Sequence, residues 1–204
     1  MRDPRAAAGF SLVELLITLA VLGIVMALGL PNISVWIQNT QLKTAAEGVV
    51  SGLQLARSEA LRRNVSVRFS LVDSLANGCA LSATGTSWVV SVADPTGACG
   101  VAPSDDPPQI VQKKSGAEGA PNATVAGVGG TTAVFNGLGR LAGVGNLTQI
   151  NISNPTGGAC KAAAGPMRCL GILIGTGGQV RMCDPDPSLV AADPRFCGAG
   201  FIPF

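Results

Sequence analysis

Histidine and tyrosine are absent from this chain of 204 residues, and aromatic residues make up only 4% of it. Without histidine, the commonest general base and metal ligand, no Ser/His/Asp catalytic set can form. The sequence also contains no G-x-x-x-x-G-K-[ST] loop of the kind that binds nucleotide phosphates. We therefore expect a protein that is not an enzyme and that has no catalytic residues, no metal and no cofactor.

Charge is scarce as well. Charged residues make up 13% of the chain against 47% hydrophobic residues, and the 14 Lys and Arg nearly balance the 12 Asp and Glu. A formal net charge of +2 produces no strongly basic field, so composition alone does not indicate a nucleic-acid-binding protein. The composition does not exclude a local patch of basic residues.

The six cysteines are an even number and all lie beyond the amino-terminal apolar run: Cys79, Cys99, Cys160, Cys169, Cys183 and Cys197. This pattern indicates disulfides formed in an oxidising compartment. No two are spaced as C-x-x-C, which argues against a zinc ribbon or a thioredoxin-like pair. Six cysteines allow fifteen connectivities, and we favour pairing of sequence neighbours because each bond then clamps a short loop containing Gly or Pro. Free thiols buried as small hydrophobic groups are the alternative.

The amino terminus combines a short basic stretch with a long apolar run. Residues 1–9 contain Arg2 and Arg5, whose positive charge favours retention of this end in the cytoplasm. The run from Phe10 to Leu30 contains one charge, Glu14, and is long enough to cross a bilayer as a helix. A cleaved signal peptide and a simple anchor are the competing interpretations, and neither explains a carboxylate inside the run.

Residues 9–16, Gly-Phe-Ser-Leu-Val-Glu-Leu-Leu, resemble the processing motif of type IV prepilins and secretion pseudopilins. The resemblance implies that prepilin peptidase cleaves between Gly9 and Phe10 and methylates the new amine of Phe10. It also implies that Glu14 pairs with the terminal amine of a neighbouring subunit, which would offset the cost of burying its charge. Pro31 matches a proline common in pilin helices, and a proline inside a helix permits a kink or local melting.

The same resemblance implies a location and a set of partners. We expect a single-pass protein of the inner membrane with a periplasmic carboxyl-terminal domain, later incorporated into a pilus or pseudopilus. The expected partners are prepilin peptidase, other major and minor pilins, and the inner membrane itself.

After Pro31 an amphipathic helix is predicted. Apolar residues spaced by three and four positions form one stripe: Leu42, Ala46, Val49, Leu53, Ala56 and Ala60. Arg62 and Arg63 fall in its last turn, where cations favour the carbonyl end of the helix dipole, and Asn64 is a plausible stop.

From Asn64 the apolar period changes to two, which indicates strands. Strands are predicted at 65–71, 88–93, 109–113, 131–136, 147–153, 170–175 and 178–183, with loop-like stretches at 94–108 and 114–130. A long helix followed by short strands indicates an α+β fold, with the helix laid on an antiparallel sheet as in type IV pilins. The chain then divides into a leader at 1–9, a transmembrane or assembly half of the helix at 10–31, its amphipathic half at 32–63, and a globular disulfide-containing domain at 64–204.

Three further segments resemble the FimT/GspH group of minor pilins: residues 56–60 (ARSEA), residues 135–140 (FNGLGR) and residues 178–183 (GQVRMC). The resemblance implies a structural subunit that joins a priming or tip complex of a type IV pilus. A minor pseudopilin of type II secretion is an alternative, because the processing motif serves both machines.

A DNA-binding minor pilin for transformation is the second alternative. Some FimT-like pilins carry a basic GRxR-type motif near the carboxyl terminus, where this chain has Gln179 in place of the first arginine. Four nearby cations are the candidate DNA contacts: Lys161, Arg168, Arg181 and Arg195. Nearby aspartates, among them Asp184, would repel phosphate unless they point away.

Overall fold

The computed structural model describes residues 10–116, 118–143, 145–198 and 200–204, and of residues 27–32 only the backbone. The predicted leader with Gly9, and the side chain of Pro31, lie outside the described residues. The chain divides into two compact units, with the boundary in the sequence between Trp36 and Ile37.

One long helix, α1, runs from Leu12 to Arg63, and its helical backbone continues through Pro31. Asn64 follows in the left-handed conformation, with φ of 53°, which ends the helix where the sequence predicts. In the described part of the chain, where the side chains of 27–32 are left out, no helix is both long and apolar enough to cross a membrane.

In the second unit, α1 is followed by eight strands and two short 3-10 helices. The strands are β1 Val67–Val72, β2 Ser87–Ser91, β3 Ile110–Lys114, β4 Thr124–Val128, β5 Thr132–Phe135, β6 Gln149–Ser153, β7 Leu170–Ile174 and β8 Val180–Cys183. The 3-10 helices are Pro155–Gly157 and Lys161–Ala163. This is the predicted α+β fold, with every strand pair antiparallel.

The strands form two four-stranded sheets rather than the one that the sequence analysis expects. The first has the order β3-β2-β1-β5 and the second the order β4-β6-β7-β8. Strand β4 lies inside the stretch 114–130 that the sequence analysis assigns to a loop, and that assignment is wrong. The stretch 114–130 is rich in Ala and Gly, which favours a loop, and β4 is held by its backbone pairing with β6.

The core lies where the carboxyl-terminal half of α1 meets the sheets. All six residues of the predicted apolar stripe are buried, at 2% exposure or less. They join buried residues of both sheets, among them Phe69, Phe135, Ile150 and Ile172. Polar contacts also tie the helix to the sheet connections: the Asn39 side-chain oxygen accepts from the Arg168 backbone N–H at 2.7 Å.

Three disulfides close loops of the second unit: Cys79–Cys99, Cys160–Cys169 and Cys183–Cys197. This is the pairing of sequence neighbours that the sequence analysis favours. The first bond lies in a small apolar cluster with Val72, Val89 and Ile110. Each bond restricts the unfolded chain, since the paired cysteines are 20, 9 and 14 positions apart in the sequence.

Candidate assembly segment and candidate basic patch

We call residues 10–26 the assembly segment. It consists of Phe10, Ser11 and the part of α1 from Leu12 to Met26. The helix begins at Leu12, and its first turn is closed by the Leu15 N–H donating to the Ser11 carbonyl at 3.1 Å. Glu14 lies in that first turn and is exposed. A carboxylate there is favoured by the positive end of the helix dipole and stays accessible to a second chain.

The apolar side chains of the assembly segment are uncovered on every side of the helix. All its large hydrophobic residues, from Phe10 at 85% through Leu22 at 50% to Met26 at 56%, are at least half exposed. A helix that is apolar all round is normally buried, in a membrane or among other helices. The segment therefore requires an environment that the single chain does not supply.

The three FimT/GspH-like segments meet at one joint in the second unit. The Arg57 side chain donates from Nε to the Gly139 carbonyl at 3.1 Å. Gly178 has a φ of 80° and lies so close to Gly139 that a Cβ at position 178 would overlap the Gly139 carbonyl. The joint thus links the end of α1 to the β5–β6 and β7–β8 connections, which gives these residues a structural role.

The end of α1 carries a small ionic cluster. The Glu59 carboxylate accepts hydrogen bonds from Arg62, at 2.6 Å from Nη2, and from Arg63, at 2.7 Å from Nε. These hydrogen bonds lower the pKa of Glu59 from its ordinary value of 4.5 to about 2, Arg62 contributing most.

Aspartates offset most of the positive charge of the candidate basic patch. Three of its four cations lie within 4 Å of an aspartate: Lys161 beside Asp186 at 3.4 Å, Arg168 beside Asp184 at 2.9 Å, and Arg195 beside Asp193 at 2.8 Å. The aspartates therefore point toward the cations. A phosphate would have to compete with each of these carboxylates.

Arg181, the fourth cation, is engaged by backbone. Its guanidinium donates to the carbonyls of Phe196 at 2.8 Å, Cys197 at 3.2 Å and Pro194 at 3.5 Å. Arg181 therefore holds the segment that follows β8 against the sheet. This role leaves no sequence signal, because its partners are main-chain atoms.

Two family models match the sequence. The model described as "Type II transport protein GspH" matches residues 45–178, and the model of the prokaryotic N-terminal methylation motif matches residues 4–30. The chain belongs to the GspH family. It is a pilin-like protein of the minor pilin and pseudopilin class, and this family consists of structural rather than catalytic proteins.

Two solved structures are similar to this GspH-family chain. Both are crystal structures of the type IV minor pilin FimU of Pseudomonas aeruginosa, strain PAO1. In space group P21 the identity is 17%, covering 72% of this chain and 91% of that chain with a TM-score of 0.47. In space group P65 the identity is 15%, and the match covers 69% of this chain and 90% of that chain with a TM-score of 0.44. No curated protein matches the sequence.

The methylation motif of this GspH-family chain implies processing by prepilin peptidase and assembly with other pilins. Of the two residues at the expected cleavage point, Phe10 is described and highly exposed, whereas Gly9 lies outside the described residues. Their roles, and that of Glu14, stay predictions. DNA contact by the basic patch also stays a prediction, and the ion pairs within the patch do not favour it.

The joint between the family-like segments leads to a prediction about Gly178. Gly178→Ala is expected to lower the free energy of unfolding by about 2 kcal/mol, because the new Cβ meets the Gly139 carbonyl and the backbone is left-handed. Gly78→Ala is the matched control, since Gly78 has a similar φ of 91° with open space around it, and we expect about 1 kcal/mol. Urea unfolding measures both. Equal losses would contradict the close packing at the joint.

The Glu59 cluster predicts a pH dependence. Because its pKa is lowered on folding, Glu59 stabilises the folded chain above about pH 4.5, and this contribution disappears as the pH falls toward 2. Between pH 4.5 and 2 we expect the free energy of unfolding to fall more for wild type than for Glu59→Gln. The difference between the two falls should be less than about 1 kcal/mol, because Arg62 is exposed to solvent. The difference should shrink in 1 M salt. Identical pH profiles at low salt would show that the cluster contributes nothing.

The contacts of Arg181 predict a structural effect of its removal. Arg181→Ala is expected to destabilise residues 184–197 by about 1–3 kcal/mol, because three carbonyls lose a charged donor. Limited proteolysis by chymotrypsin at Phe196 should become faster, whereas the exposed Arg140→Ala serves as a control with an unchanged rate. If Arg181→Ala weakened DNA binding with no change in proteolysis, Arg181 would contact DNA directly and this account of it would be wrong.

Proposed function

We propose that this chain is a minor subunit of a type IV pilus, cleaved and methylated by prepilin peptidase and incorporated through its assembly segment. Before assembly it is held in the inner membrane as a single-pass protein, with residues 37–204 in the periplasm. The oxidising periplasm matches the three disulfides of that unit. The three segments at the Arg57 joint resemble the FimT/GspH group of minor pilins, which supports the role of a minor subunit.

The observation that carries the proposal is the exposure of the assembly segment. Its large hydrophobic side chains are at least half exposed on all sides, far beyond the patches that a soluble surface normally carries. A lipid bilayer can cover them before assembly, and the equivalent helices of neighbouring subunits can cover them in a filament. Glu14 is then the single charge in the covered region, and the methylated amine of Phe10 in a neighbour is its proposed partner.

Trp36 suggests how deep the segment sits before assembly. It is 68% exposed, although apolar and large, and tryptophan is enriched where membrane meets water. At 1.5 Å per helical residue, Glu14 lies about 33 Å from Trp36 along α1, which is close to the thickness of the hydrocarbon core. With Trp36 at the periplasmic boundary, Glu14 reaches the cytoplasmic boundary, where its charge costs little until assembly begins.

A pseudopilus of type II secretion is the second candidate, and the description of the matching family model favours it. The two candidates are separated by removing the chain from its host and measuring both surface pili and secreted protein. Loss of pili with normal secretion supports the proposal. Loss of secretion with normal pili favours the pseudopilus, and normal levels of both would contradict incorporation in either machine. Restoring the wild-type chain controls for indirect effects.

A further inference from the structure

The β6–β7 loop, residues 154–169, is fixed at both ends to the part of α1 that opens the second unit. The Asn154 side-chain amide donates to Gln38 Oε1 at 3.4 Å, and the Arg168 backbone N–H donates to Asn39 Oδ1 at 2.7 Å. Asn154 is 1% exposed, so the loop starts inside the core. Both anchor points lie within the first three residues of the second unit.

A disulfide and backbone hydrogen bonds hold the loop in one shape. Cys160 is bonded to Cys169. The Met167 N–H donates to the Ala159 carbonyl at 3.1 Å, and the Lys161 N–H donates to the Met167 carbonyl at 2.8 Å. The Met167 side chain is fully buried. The loop is therefore a preformed surface, which can contact a partner without first being ordered.

The exposed face of the loop carries small residues and no carboxylate. Residues 154–169 contain no Asp or Glu. Pro155, Ala159, Pro166 and the alanine run 162–164 are all exposed. Such a face can move from water into a less polar medium at little cost, because it has few charged groups to desolvate.

The two cations of the loop are already paired with aspartates outside it. Lys161 lies 3.4 Å from Asp186, and Arg168 lies 2.9 Å from Asp184. Both carboxylates are largely buried, with side-chain exposures of 13% and 5%. The loop therefore presents little net charge, and its attraction to an anionic surface is weak.

The position of the anchor points along α1 places the loop beside the membrane surface. With Trp36 at the proposed periplasmic boundary of the hydrocarbon core, Gln38 and Asn39 lie about 3–5 Å further along the helix. The headgroup layer on each side of the core is about 5–8 Å thick. Chain connectivity alone keeps both anchor points within about 11 Å of Trp36, whatever the direction of the second unit.

We propose that the β6–β7 loop rests on the lipid headgroups of the periplasmic leaflet before assembly. The contact depends on the proposed function, since it exists only if α1 up to Trp36 is anchored in the inner membrane. It needs no anionic lipid, because both cations of the loop are paired. The contact stays shallow, since the loop's backbone polar groups can be hydrated among headgroups but not in the hydrocarbon core.

Fluorescence quenching in vesicles tests the contact. Full-length protein is reconstituted in phosphatidylcholine vesicles with a fluorophore on Ala163→Cys, and mass spectrometry verifies that the three disulfides are intact. A quencher on the lipid headgroup is expected to quench this label at least about threefold more than a label on Ser58→Cys. Ser58 is the matched control, because it is also exposed but lies about 30 Å beyond Gln38 along α1. Equal quenching at the two positions would overturn the proposal.

A third label separates failure of the contact from failure of the proposed function. Val25 lies about 16 Å from Trp36 along α1, near the centre of the hydrocarbon core. A label on Val25→Cys should be quenched by a quencher deep in the acyl chains. Such quenching without headgroup quenching at Ala163→Cys would reject the loop contact alone. No quenching of the Val25→Cys label would contradict the membrane anchor, and the loop contact with it.

Lipid charge and protein dilution test the chemistry of the contact. Adding phosphatidylglycerol should leave headgroup quenching at Ala163→Cys nearly unchanged, because Lys161 and Arg168 are paired. Asp186→Asn frees Lys161 and should make the quenching rise with anionic lipid. A several-fold rise without Asp186→Asn would contradict a contact with neutral headgroups. Loss of quenching when the protein is diluted in lipid would show that a second copy brings the loop to the membrane, and would overturn the proposal.

Discussion

Replacing Glu14 with glutamine is expected to lower the amount of the chain in purified filaments at least about tenfold. Removing one member of a buried ion pair typically costs about 3–5 kcal/mol, and about 1.4 kcal/mol corresponds to a tenfold change in an equilibrium. Quantitative immunoblotting of sheared filaments, normalised to the chain remaining in membranes, measures the effect. Cleavage before Phe10 and the fold of residues 37–204 should stay unchanged.

Glu47→Gln is the matched control for Glu14. Glu47 lies on the same helix but pairs on the surface with Lys43 at 3.6 Å, both side chains being more than half exposed. Such a pair contributes less than about 1 kcal/mol, so incorporation should not change. Normal incorporation of Glu14→Gln would contradict the proposed pairing with a neighbouring amine.

Leu53→Ala is expected to lower the free energy of unfolding of the globular unit by about 2–5 kcal/mol. Leu53 lies fully buried on the apolar stripe of α1, and its truncation loses apolar burial and leaves a cavity against the sheets. Urea unfolding of the disulfide-intact protein, followed by circular dichroism, measures the loss.

Leu61→Ala, on the same helix, controls for helix propensity and for the change of residue type. Leu61 is 50% exposed, so its truncation should cost less than about 1 kcal/mol. Similar losses for both variants would mean that the stripe is not the surface by which α1 packs on the sheets.

The helix was the most predictable element because its signal is local. Spacings of three and four place Leu42, Val49 and Leu53 on one face whatever the sheet topology, and all three are buried. The end of α1 was equally predictable from the sequence, since Asn64 tolerates the left-handed conformation that ends a helix.

Strand pairing was less predictable because it depends on distant residues. Strand β4 has no alternating pattern, and its place is set by pairing with β6, more than twenty residues later in the chain. Nor does period-two alternation indicate which sheet a strand joins, so the division into two sheets could not be deduced.

The basic patch shows the same limit for a candidate site. Lys161 and Asp186 are 25 positions apart in the sequence, yet their charged groups lie 3.4 Å apart. The spacing of cations along the sequence therefore does not reveal which carboxylates offset their charge. The hydrogen bonds from Gln149 and Asn151 to the Ile202 carbonyl have no sequence signal either, because their partner is a main-chain atom about fifty positions away.

The proposed function depends on cleavage between Gly9 and Phe10, followed by entry into a filament through residues 10–26. Intact mass and amino-terminal sequencing of the protein from membranes, with and without the host's prepilin peptidase, test it most directly. We expect a chain that begins at methylated Phe10 only when the peptidase is present. An uncut chain in both cases, or one cut after the apolar run, would contradict it.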